Sequence, residues 1–458
     1  MEKLLERNRS RILGDYFELL RFQSVGADPS RLGDCANCAA WIKNHIEKIP
    51  GFKAELFTSP RFPSAPPIVL AERPGEPGSP SMLFYGHYDV QPEDPVEAWE
   101  TPPFEPVLKG GRVYCRGAQD DKGQWFAFLE GVRALVEEGK KLPTVKIILE
   151  GQEESGSTAV SALAGELAPR LRADVLAVCD THAAADGRPS IVAGLRGVAS
   201  CTVTLSGPAY DLHSGTHGGL APNPAQGIAE LAASLHDADG RIAVEGFYDE
   251  VSAPSAEELE AARADAIGEE AYARETGCRP VGGQAGLGMV ERNSFMPTVE
   301  VNGIHGGYGG PGAKTVIPAS AFMKLSMRLV PDQGAERTMD LLRAHLEKHV
   351  PRGMKMEISD VRPGAPGFRL PLSSPVFALA RRVLAQIDPR GAGFQWDGAS
   401  IPVVSVLAKA AGAAPLLAGF GREEDHIHSP NESYGLDQFE CAMEWGYCLT
   451  AALAAETR

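Results

Sequence analysis

Five short segments of the chain gather imidazoles and carboxylates where strands are expected to end. They are Gly86-His87-Tyr88-Asp89, Gly117-Ala118-Gln119-Asp120-Asp121-Lys122-Gly123, Glu153-Glu154-Ser155-Gly156-Ser157, Cys179-Asp180-Thr181 and His426-Ile427-His428-Ser429. Together they supply imidazoles, a carboxylate able to bridge two ions and a spare carboxylate to act as base. That combination is what metal-assisted hydrolysis requires.

His87 and Asp89 lie two apart, so in an extended segment they share a face and Asp89 can orient a metal-binding imidazole. The neighbouring carboxylates Glu153 and Glu154 repel unless a cation stands between them or one is protonated. Asp180 follows another apolar run. Taken singly, each segment has a plainer explanation: H-x-D as a loop hydrogen bond, Asp-Asp-Lys-Gly as a capped helix start, Glu-Glu as a surface pair. Their joint occurrence, each at a strand's carboxyl end where α/β proteins collect ligands, favours a site.

The elements that would position these groups alternate. Leu4 to Leu20 carries apolar residues at helical spacing, and Ser81 to Tyr85 is a short buried-strand run closed by Gly86. A helix from Gly123 shows Phe126, Leu129, Val132, Leu135 and Val136 on one face, with Gly139 as its cap. Val145 to Leu149 and Val175 to Val178 read as further buried strands, and the alternation makes the class α/β.

From Arg196 the character changes. Val198 to Leu205 alternates as a half-exposed strand, Ala225 to Leu235 reads as a helix, and 254 to 276 is an acidic helical stretch with a solvated face. A glycine-dense run, Gly303 to Gly312, precedes a strand from Ala321 to Leu329. Helix then returns with Val376, Leu379, Val383 and Leu384, followed by a strand from Pro402 to Leu407 and a closing helix from Leu436 to Ala455. A middle unit inserted into an outer one follows.

A length of 458 residues exceeds one ordinary core. The net charge of −16 argues against a nucleic-acid partner. No run approaches the roughly 18 apolar residues of a membrane span, and the start shows no secretory signal. A cytoplasmic location is expected. Cys35-Ala36-Asn37-Cys38 matches C-x-x-C, but no second pair accompanies it and the segment continues as an amphipathic helix, so these cysteines read as packing residues.

The chain resembles the dinuclear zinc metallopeptidase family of aminoacylase, desuccinylase, glutamate carboxypeptidase and carnosinase, and looks closest to the carnosinase-like dipeptidase branch. The resemblance spans nearly the whole chain. Its marks include Gly86-His87-Tyr88-Asp89-Val90-Gln91-Pro92, Arg116 to Gly123, Glu153 to Ser157, Asp211-Leu212-His213-Ser214-Gly215, Lys314-Thr315-Val316-Ile317-Pro318 and His428-Ser429-Pro430-Asn431-Glu432, with Pro430 standing where relatives often have a polar residue.

The resemblance implies a zinc-peptidase-like catalytic domain, a mixed sheet flanked by helices, in residues 1–196 and 368–458. An inserted α+β lid and dimerisation domain would occupy 197–367. It implies two divalent ions, zinc first, with manganese or cobalt as alternatives. His87 and Asp180 would bind one and Glu154 and His428 the other, with Asp120 bridging; His426 would be a neighbouring loop residue, and His217, close after His213, is open to a site role or to that of a solvated loop imidazole. Glu153 would be the general base and Asp89 its companion in the catalytic set; His213 would reach a partner subunit's site to stabilise the oxyanion. Arg328, Thr315 and Ser400 would hold the substrate carboxylate. A cis peptide is implied at Asp120-Asp121. The activity implied is hydrolysis of dipeptides with a free C-terminal carboxylate, in a homodimer; the alternative is an N-acyl-amino-acid amidohydrolase or carboxypeptidase of the same family.

Overall fold

The computed structural model describes residues 3–398 and 401–456. The chain forms two compact units. One takes the chain up to Ala193, Leu370–Gln395 and the chain from Val403 onward; the other takes Gly194–Arg369 and Trp396–Pro402.

The first unit is built on a mixed sheet, with strands in the order Lys53–Phe57, Ile68–Arg73, Val145–Glu150, Met82–His87, Val175–Val178, Ala414–Gly419 and Ser190–Leu195. Met82–His87 is parallel to Val145–Glu150 and to Val175–Val178, which is parallel to Ala414–Gly419. Every residue of Met82–His87 and Val175–Val178 is buried, as in parallel strands covered on both faces. These four strands run the same way, so the loops after His87, Glu150, Val178 and Gly419 open at one edge of the sheet.

The helix Lys122–Glu137 is buried all round rather than on one stripe, with Lys122, Glu130 and Arg133 enclosed beside Trp125, Phe126 and Phe128. The closing helix Leu436–Ala455 packs on it at a distance that demands glycine on both sides. A Cβ on Gly131 would lie 2.0 Å from the Met443 carbonyl oxygen, and one on Gly446 would lie 2.2 Å from that of Phe128.

Two local expectations change, and a third, the packing role of Cys35 and Cys38, fits what is found. The segment expected as a strand from Pro402 to Leu407 is the helix Pro402–Ala411, and the strand is Ala414–Gly419. Val403, Val404, Leu407 and Ala411 are buried at helical spacing, a pattern that a short apolar run leaves ambiguous. The N-terminal helix is two helices, Leu4–Arg7 and Arg9–Leu20, parted at Asn8, a residue whose side chain favours helix ends. Cys35 and Cys38 are buried in Leu32–Glu47, and burial pushes the Cys35 thiol up to about 12, which suits packing residues.

The second unit has an antiparallel sheet in the order Thr298–Gly306, Ser320–Leu329, Gly197–Ser206, Lys355–Ala365. Alternate residues Ala199, Cys201, Val203 and Leu205, with Met323, Leu325 and Met327, form a core with Ile228, Leu231, Leu342 and Leu346 of the helices Pro224–Ser234 and Ala335–His349. The acidic stretch forms two helices, Ala256–Asp265 and Glu269–Thr276, largely exposed. Glu258 and Ala262 are buried, and Glu258 Oε1 accepts from Arg369 Nε at 2.7 Å. The expected class, a mixed-sheet α/β unit interrupted in sequence by an α+β unit, is the one observed.

Candidate metal centre

Separate loops of the first unit deliver the centre. His87 closes its strand, and Asp120 precedes the helix Lys122–Glu137 across a cis Asp120-Asp121 peptide. Glu153 and Glu154 open a short 3-10 turn, Glu153–Ser155, after the strand Val145–Glu150. Asp180 follows Val175–Val178, and His428 lies in the loop beyond Ala414–Gly419.

Asp120 stands between two ligand groups. Its Oδ1 is 3.1 Å from His87 Nε2, and that nitrogen is 3.7 Å from Asp180 Oδ2. Its Oδ2 is 2.8 Å from His428 Nε2, which is 3.3 Å from Glu154 Oε2. Among the described residues, His87–Asp120–Asp180 and Asp120–Glu154–His428 are the sets whose ligand atoms lie within 4.8 Å of one another. Ligand atoms on a tetrahedral zinc stand about 3.4 Å apart, so both groups have a suitable span.

The charges fit dications. Burial, then the nearby charges of Asp180, Asp120 and Glu154, pushes Glu153 up to about 8. Burial, then Asp120, pushes Asp180 up to about 7, and burial raises Glu154 as well. Hydrogen bonds to Asp120 and Glu154 lift His428 to about 10. Asp120 alone is lowered: burial opposes its charge, but His428 and His87 more than offset it. Glu154 Oε1 is buried without a hydrogen-bond partner. Crowded carboxylates that cannot all ionise, and an orphaned acceptor among them, are the donor set that two cations satisfy.

Supporting contacts set the ligands. His87 Nδ1 is 3.1 Å from the Asp89 carbonyl oxygen and 3.4 Å from its Oδ1, so Nδ1 keeps a proton and Nε2 turns to the centre. The Asp89 carboxylate does more than orient His87: it accepts the N–H of Glu153 at 3.2 Å and of Glu154 at 3.1 Å. Two supporting residues carried no assigned role in the sequence. Gln91 Nε2 donates to Glu154 Oε2 at 2.6 Å. Asp121 sits at the helix start without capping it; its Oδ2 accepts the His87 N–H at 3.1 Å. Their place inside the quoted motifs was the available signal.

The other candidates divide. His426 is exposed and joins neither ligand group. His213, Thr315 and Arg328 belong to the second unit. His213 Nδ1 accepts the Gly215 N–H at 3.1 Å and its Nε2 is 3.2 Å from Thr315 Oγ1. His217 ends the short helix Ser214–His217 beside them. Arg328 is half-buried on the sheet face opposite the Met323–Leu325–Met327 core. Ser400 lies outside the described residues. Shortly before it, Gly398 is held through its carbonyl by Arg196 Nε at 2.9 Å.

Imidazoles and carboxylates at the ends of parallel strands, with one carboxylate common to two ligand groups, define the class as a metal-dependent hydrolase. Residues 83–451 match the model for Peptidase family M20/M25/M40, and the chain belongs to that family. It is 31% identical over 396 residues to the Cys-Gly metallodipeptidase DUG1 of Saccharomyces cerevisiae, covering 83% of this chain and 81% of that one. It is 30% identical over 373 residues to the Beta-Ala-His dipeptidase of Homo sapiens, covering 80% and 73%. Among solved structures it is similar to the M20 family metallo-carboxypeptidase Sso-CP2 from Sulfolobus solfataricus, with a TM-score of 0.84, 27% identity and coverage of 97% and 99%.

Proposed function

We propose that this peptidase is a dinuclear metal-dependent dipeptidase cleaving small substrates that carry a free C-terminal carboxylate. The observation that carries the proposal is the division of the Asp120 carboxylate, one oxygen toward His87 and the other toward His428. The dipeptidase names of the curated relatives support the substrate class. His87, Asp120 and Asp180 would hold one ion and Asp120, Glu154 and His428 the other; zinc suits these donors, as do manganese and cobalt. Bound there, the ions would acidify a shared water and polarise the scissile carbonyl.

Glu153 stands beside both groups, and its raised carboxyl suits it to take a proton and return it to the leaving amine. His213 accepts at Nδ1, so its Nε2 carries the proton and is the donor an oxyanion needs. In this proposal His213 acts on the partner subunit of a homodimer through the lid unit, and Arg328, Thr315 and Ser400 grip the substrate carboxylate. Location in the cytoplasm belongs to the same proposal; among the described residues no helix is long and apolar enough to cross a membrane.

The test is amine release from a panel of dipeptides, longer peptides and N-acyl amino acids by stripped protein re-supplied with zinc, manganese or cobalt. Metal-dependent turnover of dipeptides is expected. Turnover of acyl amino acids or longer peptides alone would move the assignment to an amidohydrolase or carboxypeptidase, the second reading that the likeness to Sso-CP2 favours. For His213, an inactive His213→Ala protein mixed with inactive Glu153→Ala should recover activity; no recovery removes the trans role.

A further inference from the structure

Glu432 is fully buried, and its carboxylate is saturated by four donors. Oε1 accepts the backbone N–H groups of Gln119 at 3.0 Å and Asp120 at 3.1 Å. Oε2 accepts the Gly117 N–H at 3.0 Å and Arg116 Nη1 at 2.7 Å. Three backbone N–H groups of one turn, those of Gly117, Gln119 and Asp120, therefore close around a single carboxylate, much as in an anion nest, while the Ala118 N–H bonds to the Cys115 carbonyl. The turn they form carries Asp120, and the segment that carries Glu432 also carries His428.

The same carboxylate ties in the third ligand of that group. Arg116, itself buried, donates through Nη2 to the Pro92 carbonyl at 3.0 Å, and the preceding residue, Gln91, donates to Glu154 Oε2 at 2.6 Å. Pairing of Ser433–Gly435 with Arg112–Tyr114 and the 3.0 Å bond from the Cys115 N–H to the Glu432 carbonyl lock the two segments in register. The other ligand group has different supports: Asp121 on the His87 N–H and Asp89 on the His87 ring.

We propose that Glu432 is a positioning residue that assembles the Asp120–Glu154–His428 group, holding three ligands from three segments at the spacing of one ion, while the His87–Asp120–Asp180 group depends on it only through Asp120. The proposal rests on the two-ion reading above. Replacing the carboxylate by an amide keeps the volume but sets an NH2 group against N–H donors whichever way it turns, leaving buried donors unpaired.

The experiment is calorimetric titration of zinc into stripped wild-type, Glu432→Gln and Glu130→Gln proteins, with melting curves and steady-state kinetics on the same samples. Glu130 is a buried carboxylate bonded to His45 and Arg11 and serves as a control for general loosening. Wild type and Glu130→Gln should take two ions. In Glu432→Gln the ion of the Asp120–Glu154–His428 group should weaken by about 10–100-fold and the other, which depends on Glu432 only through Asp120, should weaken clearly less, with kcat falling and KM little changed. Glu432→Asp, which keeps the charge one methylene short, should show the same selective loss and stands in if the amide does not fold. Two ions at wild-type affinity in the Glu432 variants, or equal weakening of both, would overturn the positioning role. Wild-type protein that takes up no ion would remove the two-ion reading and this inference with it.

Discussion

Asp120 Oδ2 lies 2.8 Å from His428 Nε2, although 308 positions separate the two residues in the chain. The contact closes the second ligand group and makes the centre depend on the docking of the C-terminal segment. It also makes Asp120 common to both groups, which gives the ligands unequal weights.

Asp120→Asn should therefore weaken both ions, whereas His428→Ala should weaken one, each by roughly tenfold or more. Metal content after dialysis against graded chelator reads this directly. Equal losses in the two variants would contradict a bridging Asp120.

Glu153→Gln should lower kcat by about 10²–10⁴-fold, the range for losing a positioned acid–base group, while both ions stay bound. Rate and metal stoichiometry measured on one preparation separate the outcomes. A variant that keeps its rate would assign the proton transfer elsewhere.

Metal-free protein should lose stability as pH rises. Glu153 is raised from 4.5 to about 8 and Asp180 from 3.8 to about 7, so the folded state retains protons the unfolded chain releases. That contribution is complete below about pH 4 and drains as pH approaches 8; His428, raised from 6.5 to about 10, continues the same trend above it. Bound zinc replaces the protons, so the zinc-induced rise in Tm should be larger at about pH 8 than at about pH 5.5. Scanning calorimetry with and without zinc at the two pH values is the check, and an equal rise would count against it.

Gly446→Ala should destabilise the first unit by about 1–3 kcal/mol, because its Cβ would meet the Phe128 carbonyl oxygen at 2.2 Å and the two helices must part. The loss appears in the melting temperature. Zinc stoichiometry should not change, since neither helix face carries a ligand.

Local sequence was enough for much of this. The ligand types, and their place after buried runs ending at His87, Glu150 and Val178, follow from composition and period, because a strand covered on both faces must be apolar throughout. The capping of the acidic helix by Ser255 and Glu258 is equally local. Other features depend on segments far apart in the chain. His426 and His428 are alike by spacing, and contact with Asp120 separates them. Asp121 resembles a helix cap until the His87 N–H claims its carboxylate. The helix Lys122–Glu137 shows one apolar stripe, yet Leu436–Ala455 buries its other side. Pro402–Ala411 shares the composition of a strand, and burial at helical spacing makes it a helix. Periodicity records which face of an element is apolar; which partner fills that face, and which donor reaches which carboxylate, are settled by packing between distant segments.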